Sequence, residues 1–118
     1  MLNSKGLYVI TGGPGTGKTS LIEALERDGL KTIKEVARDI IKEQQQQGGE
    51  ALPWKNTGLY TKIMLERSVN SYLTHAKEEG PMFFDRGIPD TLAYARLIEL
   101  DDREYIELAV DKYRYSEQ

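Results

Sequence analysis

Apolar residues along the chain fall into short blocks separated by glycine, proline and charge. Leu7-Tyr8-Val9-Ile10 is an unbroken apolar run between Gly6 and Gly12, the pattern of a strand buried on both faces. Lys31 to Val36 predicts a second, weaker strand passing into a helix with Val36, Ile40 and Ile41 on one face, and Met82-Phe83-Phe84 predicts a third strand. Elsewhere the spacing is helical. Leu21, Ile22 and Leu25 form one apolar stripe that stops at Gly29, and Gln44 to Gln47 followed by Gly48-Gly49 reads as a helix end. Leu59, Ile63, Val69, Leu73 and Ala76 predict a long helix from about Thr57 to Glu79, capped by Asn56 and stopped by Gly80-Pro81. Pro89 opens a helix bearing Leu92, Ala95, Leu97 and Ile98. Asp101 and Glu104 have the spacing of a capping box ahead of a last helix with Tyr105, Ile106, Ala109, Val110 and Tyr113. Strands alternating with helices of this length imply parallel βαβ units and an α/β layered fold.

Composition narrows the field. The 118 residues suit a single domain spanning 1–118, and 16 Lys+Arg against 19 Asp+Glu give a net charge of -3. No global basic field exists to hold a nucleic-acid backbone, and no nucleic-acid partner is expected. The chain has no cysteine, which excludes disulfides, thiolate zinc sites and cysteine nucleophiles. No signal peptide is visible, and no apolar run approaches the roughly 18 residues of a spanning helix, so a cytoplasmic protein without membrane partners is expected.

The chemistry concentrates at the ends of the predicted strands. Gly12-Gly13-Pro14-Gly15-Thr16-Gly17-Lys18-Thr19 satisfies G-x-x-x-x-G-K-[ST] between a predicted strand and a predicted helix, the context that makes it a phosphate-binding loop. Glycines let the backbone wrap a polyphosphate closely enough for several amides to converge on it, and the following helix adds the positive end of its dipole. Lys18 supplies a point charge to the β and γ phosphates, the Thr19 hydroxyl is placed to ligate Mg²⁺, and Ser20 completes the expected nucleotide-binding set. Asp85, at the carboxyl end of the third strand, takes the position of a Walker B aspartate and is the second expected Mg²⁺ ligand. Asp85-Arg86-Gly87 read as a mere turn is the alternative. Arg86 either bridges γ-phosphate and acceptor or pairs with Asp85, and it stands where a motor ATPase usually places a water-polarising glutamate. That favours phosphoryl transfer over vigorous hydrolysis. Glu35 and Arg38 follow the second strand. Glu35 is expected to act as general base toward an acceptor hydroxyl and Arg38 to bind an acceptor anion, against a plain first-turn glutamate and a solvated arginine.

Four further features have two readings each. Leu52-Pro53-Trp54-Lys55 is expected to staple its loop to the core, the alternative being the rim of an acceptor pocket with Trp54 as a stacking face. Arg67 faces either the site or water. His75, the only histidine, is expected at the surface. Tyr105, Tyr113 and Tyr115 are expected to pack in the core rather than stack on bases with Arg114.

Five blocks, TGGPGTGKTSLIEAL, EVARDII, LPW, GPMFFDRGIPDTLAYARL and DKYRY, occur in an order and at spacings that resemble the AAA-like predicted ATPases of bacteria, a P-loop family. FFDRGIPDTLAYA is similar to the aspartate-arginine segment of thymidylate kinases. KEVARDI is similar to the acidic segment after strand 2 in deoxynucleoside and nicotinamide riboside kinases, where in the deoxynucleoside enzymes the glutamate is the base. The resemblance implies a three-layer α/β/α P-loop NTPase of nucleotide-kinase type, with about five parallel strands in the order 2-3-1-4-5 and about 170 to 180 residues. Three strands are found here, and DKYRY looks like the lead-in to a fourth. The expectation is an N-terminal part of such a domain, truncated before strand 4, with strand 1 left as an open edge through which the chain forms homo-oligomers or exchanges elements. The implied activity is Mg²⁺-dependent binding of ATP, with GTP as the other option, and transfer of its γ-phosphoryl to a small-molecule acceptor. The alternative is a nucleotide-gated binding module or slow ATPase or GTPase acting as a switch.

Overall fold

The computed structural model describes residues 2–3, 6–12, 17–78, 81–101 and 103–116. Its elements are β1 (Leu2–Asn3), β2 (Leu7–Ile10), α1 (Lys18–Arg27), β3 (Lys31–Ile33), α2 (Val36–Gln47), α3 (Thr57–His75), β4 (Met82–Asp85), α4 (Ile88–Leu97), α5 (Glu104–Lys112) and β5 (Tyr113–Arg114). The three strands expected from the apolar blocks pair in parallel in the order β2-β4-β3. That is the strand 1-3-2 succession implied by the family resemblance. Leu7, Met82 and Lys31 lie level across the sheet, as do Val9, Phe84 and Ile33.

Side-chain alternation sends these two rows to one face, where Leu7, Met82 and Phe84 are buried against Leu65 and Tyr72 of α3, Leu92 of α4 and Ile106 of α5. A smaller core joins Ala37 and Ile40 of α2 to Tyr60 of α3. Tyr8 and Phe83 belong to the opposite face and stack with centroids 5.3 Å apart. α1 packs against β3. Its chain reverses through a paired turn, Gly29 N–H to the Glu26 carbonyl and Leu30 N–H to the Leu25 carbonyl, both at 3.0 Å. Asn56 caps α3 as expected, its Oδ1 accepting from Leu59 N at 3.0 Å.

Several expectations are corrected. α3 ends at His75 rather than Glu79. The Asp101/Glu104 capping box does not form: the Asp101 carbonyl closes a turn onto Arg103 N at 3.2 Å, so the helix starts at Glu104 behind Arg103, too late for the Asp101 carboxylate to reach first-turn amides. His75 is less exposed than expected. Its side chain is 18% exposed, its ring meets Phe84 edge-on at 5.9 Å and its Nδ1 lies 3.2 Å from Glu78. Ala51 and Leu52 hold the loop before α3 to the core, whereas Trp54 is 60% exposed.

β2 is an outer strand of the three-stranded sheet, as expected, and the chain's tail touches it only at its start. β5 pairs in parallel with the unforeseen β1, Ser116 N donates to the Leu7 carbonyl at 2.6 Å, and Gly6 N donates to Ser116 Oγ at 2.8 Å. The Tyr72 hydroxyl donates to the Arg114 carbonyl at 2.6 Å, and the Tyr115 ring packs edge-on against Tyr72 and Phe84. Tyr105, Tyr113 and Tyr115 thus pack against the core, as the helical spacing suggested. Among the described residues no helix is long and apolar enough to cross a membrane.

Candidate functional site

Parallel pairing brings the carboxyl ends of β2, β3 and β4 to one side of the sheet, where open α/β folds hold ligands. β2 runs out through Thr11 into Gly12, and α1 begins at Lys18 directly after Gly17. Gly17 has φ +84, a left-handed conformation that costs any residue with a Cβ, while a Cβ there would meet nothing within 4 Å. Backbone geometry, not crowding, is what this position requires. Leu21 N donates to the Gly17 carbonyl at 3.0 Å, so the helix is already wound at its start and its first-turn amides are left without helical acceptors. Gly13, Pro14, Gly15 and Thr16 lie outside the described residues.

Lys18, Thr19 and Ser20 occupy the first turn of α1. Thr19 and Ser20 are exposed. The Lys18 ammonium lies 2.5 Å from Asp85 Oδ1, with the two side chains 12% and 19% exposed. The start of α1 and the end of β4, 67 residues apart, therefore meet in a mostly buried ion pair.

After Asp85 the chain makes an abrupt change of direction. Arg86 N still donates to the Ile10 carbonyl at 2.9 Å, carrying the β2–β4 pairing one step further. Arg86 itself has φ +64, an uncommon conformation for a non-glycine residue. Its Nη2 donates to the Gly12 carbonyl at 3.0 Å, so it bridges to the phosphate loop. Its Nε lies 3.6 Å from Glu35 Oε1 and is buried with no hydrogen-bond partner among the described residues. Glu35 precedes α2 in an extended conformation and caps no amide with its side chain. The carboxylate turns instead toward Arg86 and toward Arg38 Nε at 3.8 Å. Glu35 thus stands at the N-terminus of α2, as the plain reading has it, with its carboxylate turned toward two arginines. Arg38 is 84% exposed and pairs with Glu35. Arg67 faces away from these groups and pairs with Glu43 of α2.

A cleft of about 220 Å³ opens between α2, α3 and α4 and reaches Glu35, Asp85 and Arg86. Asp90, Ser68 and Thr91 add polar groups, and Tyr60, Met64 and Tyr94 form an apolar wall. Trp54 does not line it. The Tyr60 and Tyr94 rings meet edge to face, 5.8 Å apart at 78°. Burial pushes the Tyr60 phenol above its ordinary pKa, with Tyr94 and Glu35 adding to the shift and Arg86 opposing it; burial alone raises Tyr94. Both stay protonated hydroxyls across the neutral range.

Sequence reasoning missed this wall. Tyr60 and Tyr94 sit on helices whose apolar positions serve two cores, and nothing in their spacing distinguishes a cleft from a core. Asp90 left a fainter signal, an acid three residues after Gly87. It accepts from Gly87 N at 2.8 Å through Oδ2 and from the Thr11 hydroxyl through Oδ1, tying α4 to the end of β2.

The donor set suits a polyphosphate carrying a hard cation. An ammonium, a guanidinium whose buried Nε has no hydrogen-bond partner among the described residues beyond its ion pair with Glu35, and a helix N-terminus lie at one end of the sheet, and Thr19 and Asp85 offer a hydroxyl and a carboxylate. One hydroxyl and one carboxylate is the protein share typical for Mg²⁺, which otherwise prefers phosphate and water oxygens.

A parallel α/β sheet, a glycine loop feeding a helix that starts on lysine, and an acid from the adjacent strand facing that lysine define a P-loop NTPase. The chain belongs to the AAA domain family, whose profile matches residues 7–117. No curated protein and no solved structure matches it. Membership makes it a nucleotide-binding P-loop NTPase domain, and domains of this family generally bind nucleotide with Mg²⁺.

Proposed function

We propose that this domain binds ATP with Mg²⁺ and passes the γ-phosphoryl group to a hydroxyl of a small molecule held between α2, α3 and α4. The observation that supports this reading most is the cleft itself: it reaches Asp85, the partner of Lys18, and Arg86, which is bonded to the phosphate loop, and it places Glu35 beside them. A hydrolase needs room for water; a cleft of about 220 Å³ with an aromatic wall has room for an organic acceptor.

Lys18 and the first-turn amides of α1 hold the phosphates, and Arg86 neutralises charge that develops on the transferring group. Glu35 accepts the proton of the acceptor hydroxyl as its oxygen bonds to the γ-phosphorus. The bond to the β–γ bridging oxygen breaks, and ADP leaves with that electron pair. Asp85 and Thr19 would hold Mg²⁺, which supplies charge neutralisation on the phosphates. Tyr60 and Tyr94 seat the acceptor and keep water from it. Arg38 stands outside the cleft, where an anionic tail of a longer acceptor would meet it.

The Lys18–Asp85 ion pair favours a second reading. It must open if Lys18 is to take phosphate and Asp85 the metal, so nucleotide occupancy by itself rearranges the turn at 85–87, as a switch requires. Titration with ATP and GTP, with and without Mg²⁺, followed by a screen of hydroxyl compounds for ADP release separates the two. Acceptor-dependent release supports transfer. Slow acceptor-independent hydrolysis, with a partner that distinguishes ATP from ADP, supports the switch.

A further inference from the structure

Tyr115 stands at the far end of the chain from the phosphate loop, yet its hydroxyl accepts from Ile88 N at 3.2 Å, within the turn that carries Asp85 and Arg86. Gly87 of that turn is closed over it: a Cβ on Gly87 would stand 2.6 Å from Tyr115 Oη and 3.2 Å from Val9 Cγ2. The ring is wedged edge-on against Tyr72 at 5.0 Å and Phe84 at 5.4 Å, and Ser116, the next residue, is bonded to Leu7 and Gly6. The phenol is mostly buried, so its hydroxyl is neutral and its position is set by its neighbours on three sides.

We infer that Tyr115 is a positioning residue for the nucleotide site, acting through the 85–90 turn. Arg86 holds an uncommon positive φ, and such a conformation persists only when its surroundings determine it. On the side of β2 and α4, Thr11 and Gly87 are tied to Asp90, and Arg86 itself is tied to Gly12 and Ile10. On the opposite side, the Tyr115 hydroxyl is the group bonded to the amide that opens α4. Without it, Ile88 N–H is left inside the protein with no acceptor, and the turn has room to move away from the sheet. Asp85 and Arg86 move with it, and so does the partner of Lys18. The short segment 113–116 thereby couples whatever touches the tail to the end of the sheet where phosphate is held.

This inference rests on the nucleotide-site reading, and the test keeps the two apart. Tyr115→Phe retains the wedge and removes only the acceptor. Relative to the parent chain it should bind Mg·ATP about tenfold more weakly, and the amides of Gly87 and Ile88 should exchange faster while those of the β2–β4 pairing are unchanged. Gly87→Ala presses a methyl group onto the same hydroxyl and should weaken Mg·ATP binding as well; combined with Tyr115→Ala, which clears the space, the loss should be smaller than the two single losses added. A parent chain that binds Mg·ATP while Tyr115→Phe binds it equally, or strictly additive losses in the cycle, overturns the positioning role and leaves the site reading intact. A parent chain that does not bind nucleotide overturns the site reading and this inference with it.

Discussion

Replacing Lys18 by alanine should affect folding and nucleotide binding separately, and the structure sets the size of each effect. The ammonium lies 2.5 Å from Asp85 Oδ1, with side chains 12% and 19% exposed. At that separation the attraction is about 2 kcal/mol in the dielectric of bulk water and about 7 kcal/mol at an effective value of about 20. Desolvating both groups and ordering the lysine stem takes back most of this. Exposed pairs net about 0–1 kcal/mol, and breaking a buried pair costs about 3–5 kcal/mol because one charge is stranded. A mostly buried pair with some solvent access falls between, so Lys18→Ala should lose about 1–3 kcal/mol of unfolding free energy. Asp85→Asn keeps the shape and leaves a long flexible cation that can turn toward water, so it should cost less. In the double variant no charge is stranded, and the loss should fall short of the summed single losses by about 1 kcal/mol. Nucleotide affinity behaves differently. Lys18→Ala and the double variant should both bind Mg·ATP about 100-fold more weakly, about 3 kcal/mol, whatever stability is regained. Urea unfolding followed by circular dichroism reads the first quantity and titration calorimetry the second. Stability losses that add to within about 0.3 kcal/mol, or an unchanged Mg·ATP affinity in Lys18→Ala, would refute the reasoning.

Three further outcomes are expected. Glu35→Gln should lower acceptor-dependent ADP formation by about 10²–10⁴-fold, read in a coupled ADP assay; undiminished turnover rules Glu35 out as the base. Glu99 closes α4 with φ +54, its N–H bonded to the Arg96 carbonyl and Leu100 N–H to the Ala95 carbonyl, so Glu99→Gly should raise stability by about 0.5–1 kcal/mol; a lowered urea midpoint contradicts it. Burial raises the Tyr115 phenol above the ordinary tyrosine value of 10.0, so the folded chain keeps a proton that the unfolded chain releases. That contribution to stability is complete below about pH 10 and is lost as pH rises beyond it. Tyr115→Phe should therefore show a shallower alkaline decline than the parent chain in urea midpoints measured against pH, and equal slopes would contradict the assignment.

The candidate site was partly legible because phosphate chemistry imposes residue types at fixed places. Lys18 could be named without coordinates, since a glycine loop between an apolar run and a helical stripe leaves its lysine one location, and Asp85 followed from its place at the end of an apolar strand. Glu35 was reached the same way, but the sequence could not tell a capping glutamate from one turned toward Arg86. Tyr60 and Tyr94 were out of reach: whether an aromatic on an amphipathic helix lines a core or a cleft depends on how far apart the neighbouring helices sit. His75 and Trp54 show the converse, since a single polar ring was expected outside and is mostly covered, whereas the tryptophan stays exposed.

Local interactions determined what the sequence determines alone. Apolar runs, helical stripes and the Asn56 cap act over a few residues, and they mark β2, β3, β4, the helices and the phosphate-loop motif between β2 and α1. Contacts between segments distant in the chain were decided only on folding. The pairing of β1 with β5, the seating of Tyr115 beneath Gly87 and the meeting of Lys18 with Asp85 each depend on the summed packing of the whole sheet and its helices. No short window of residues encodes that sum.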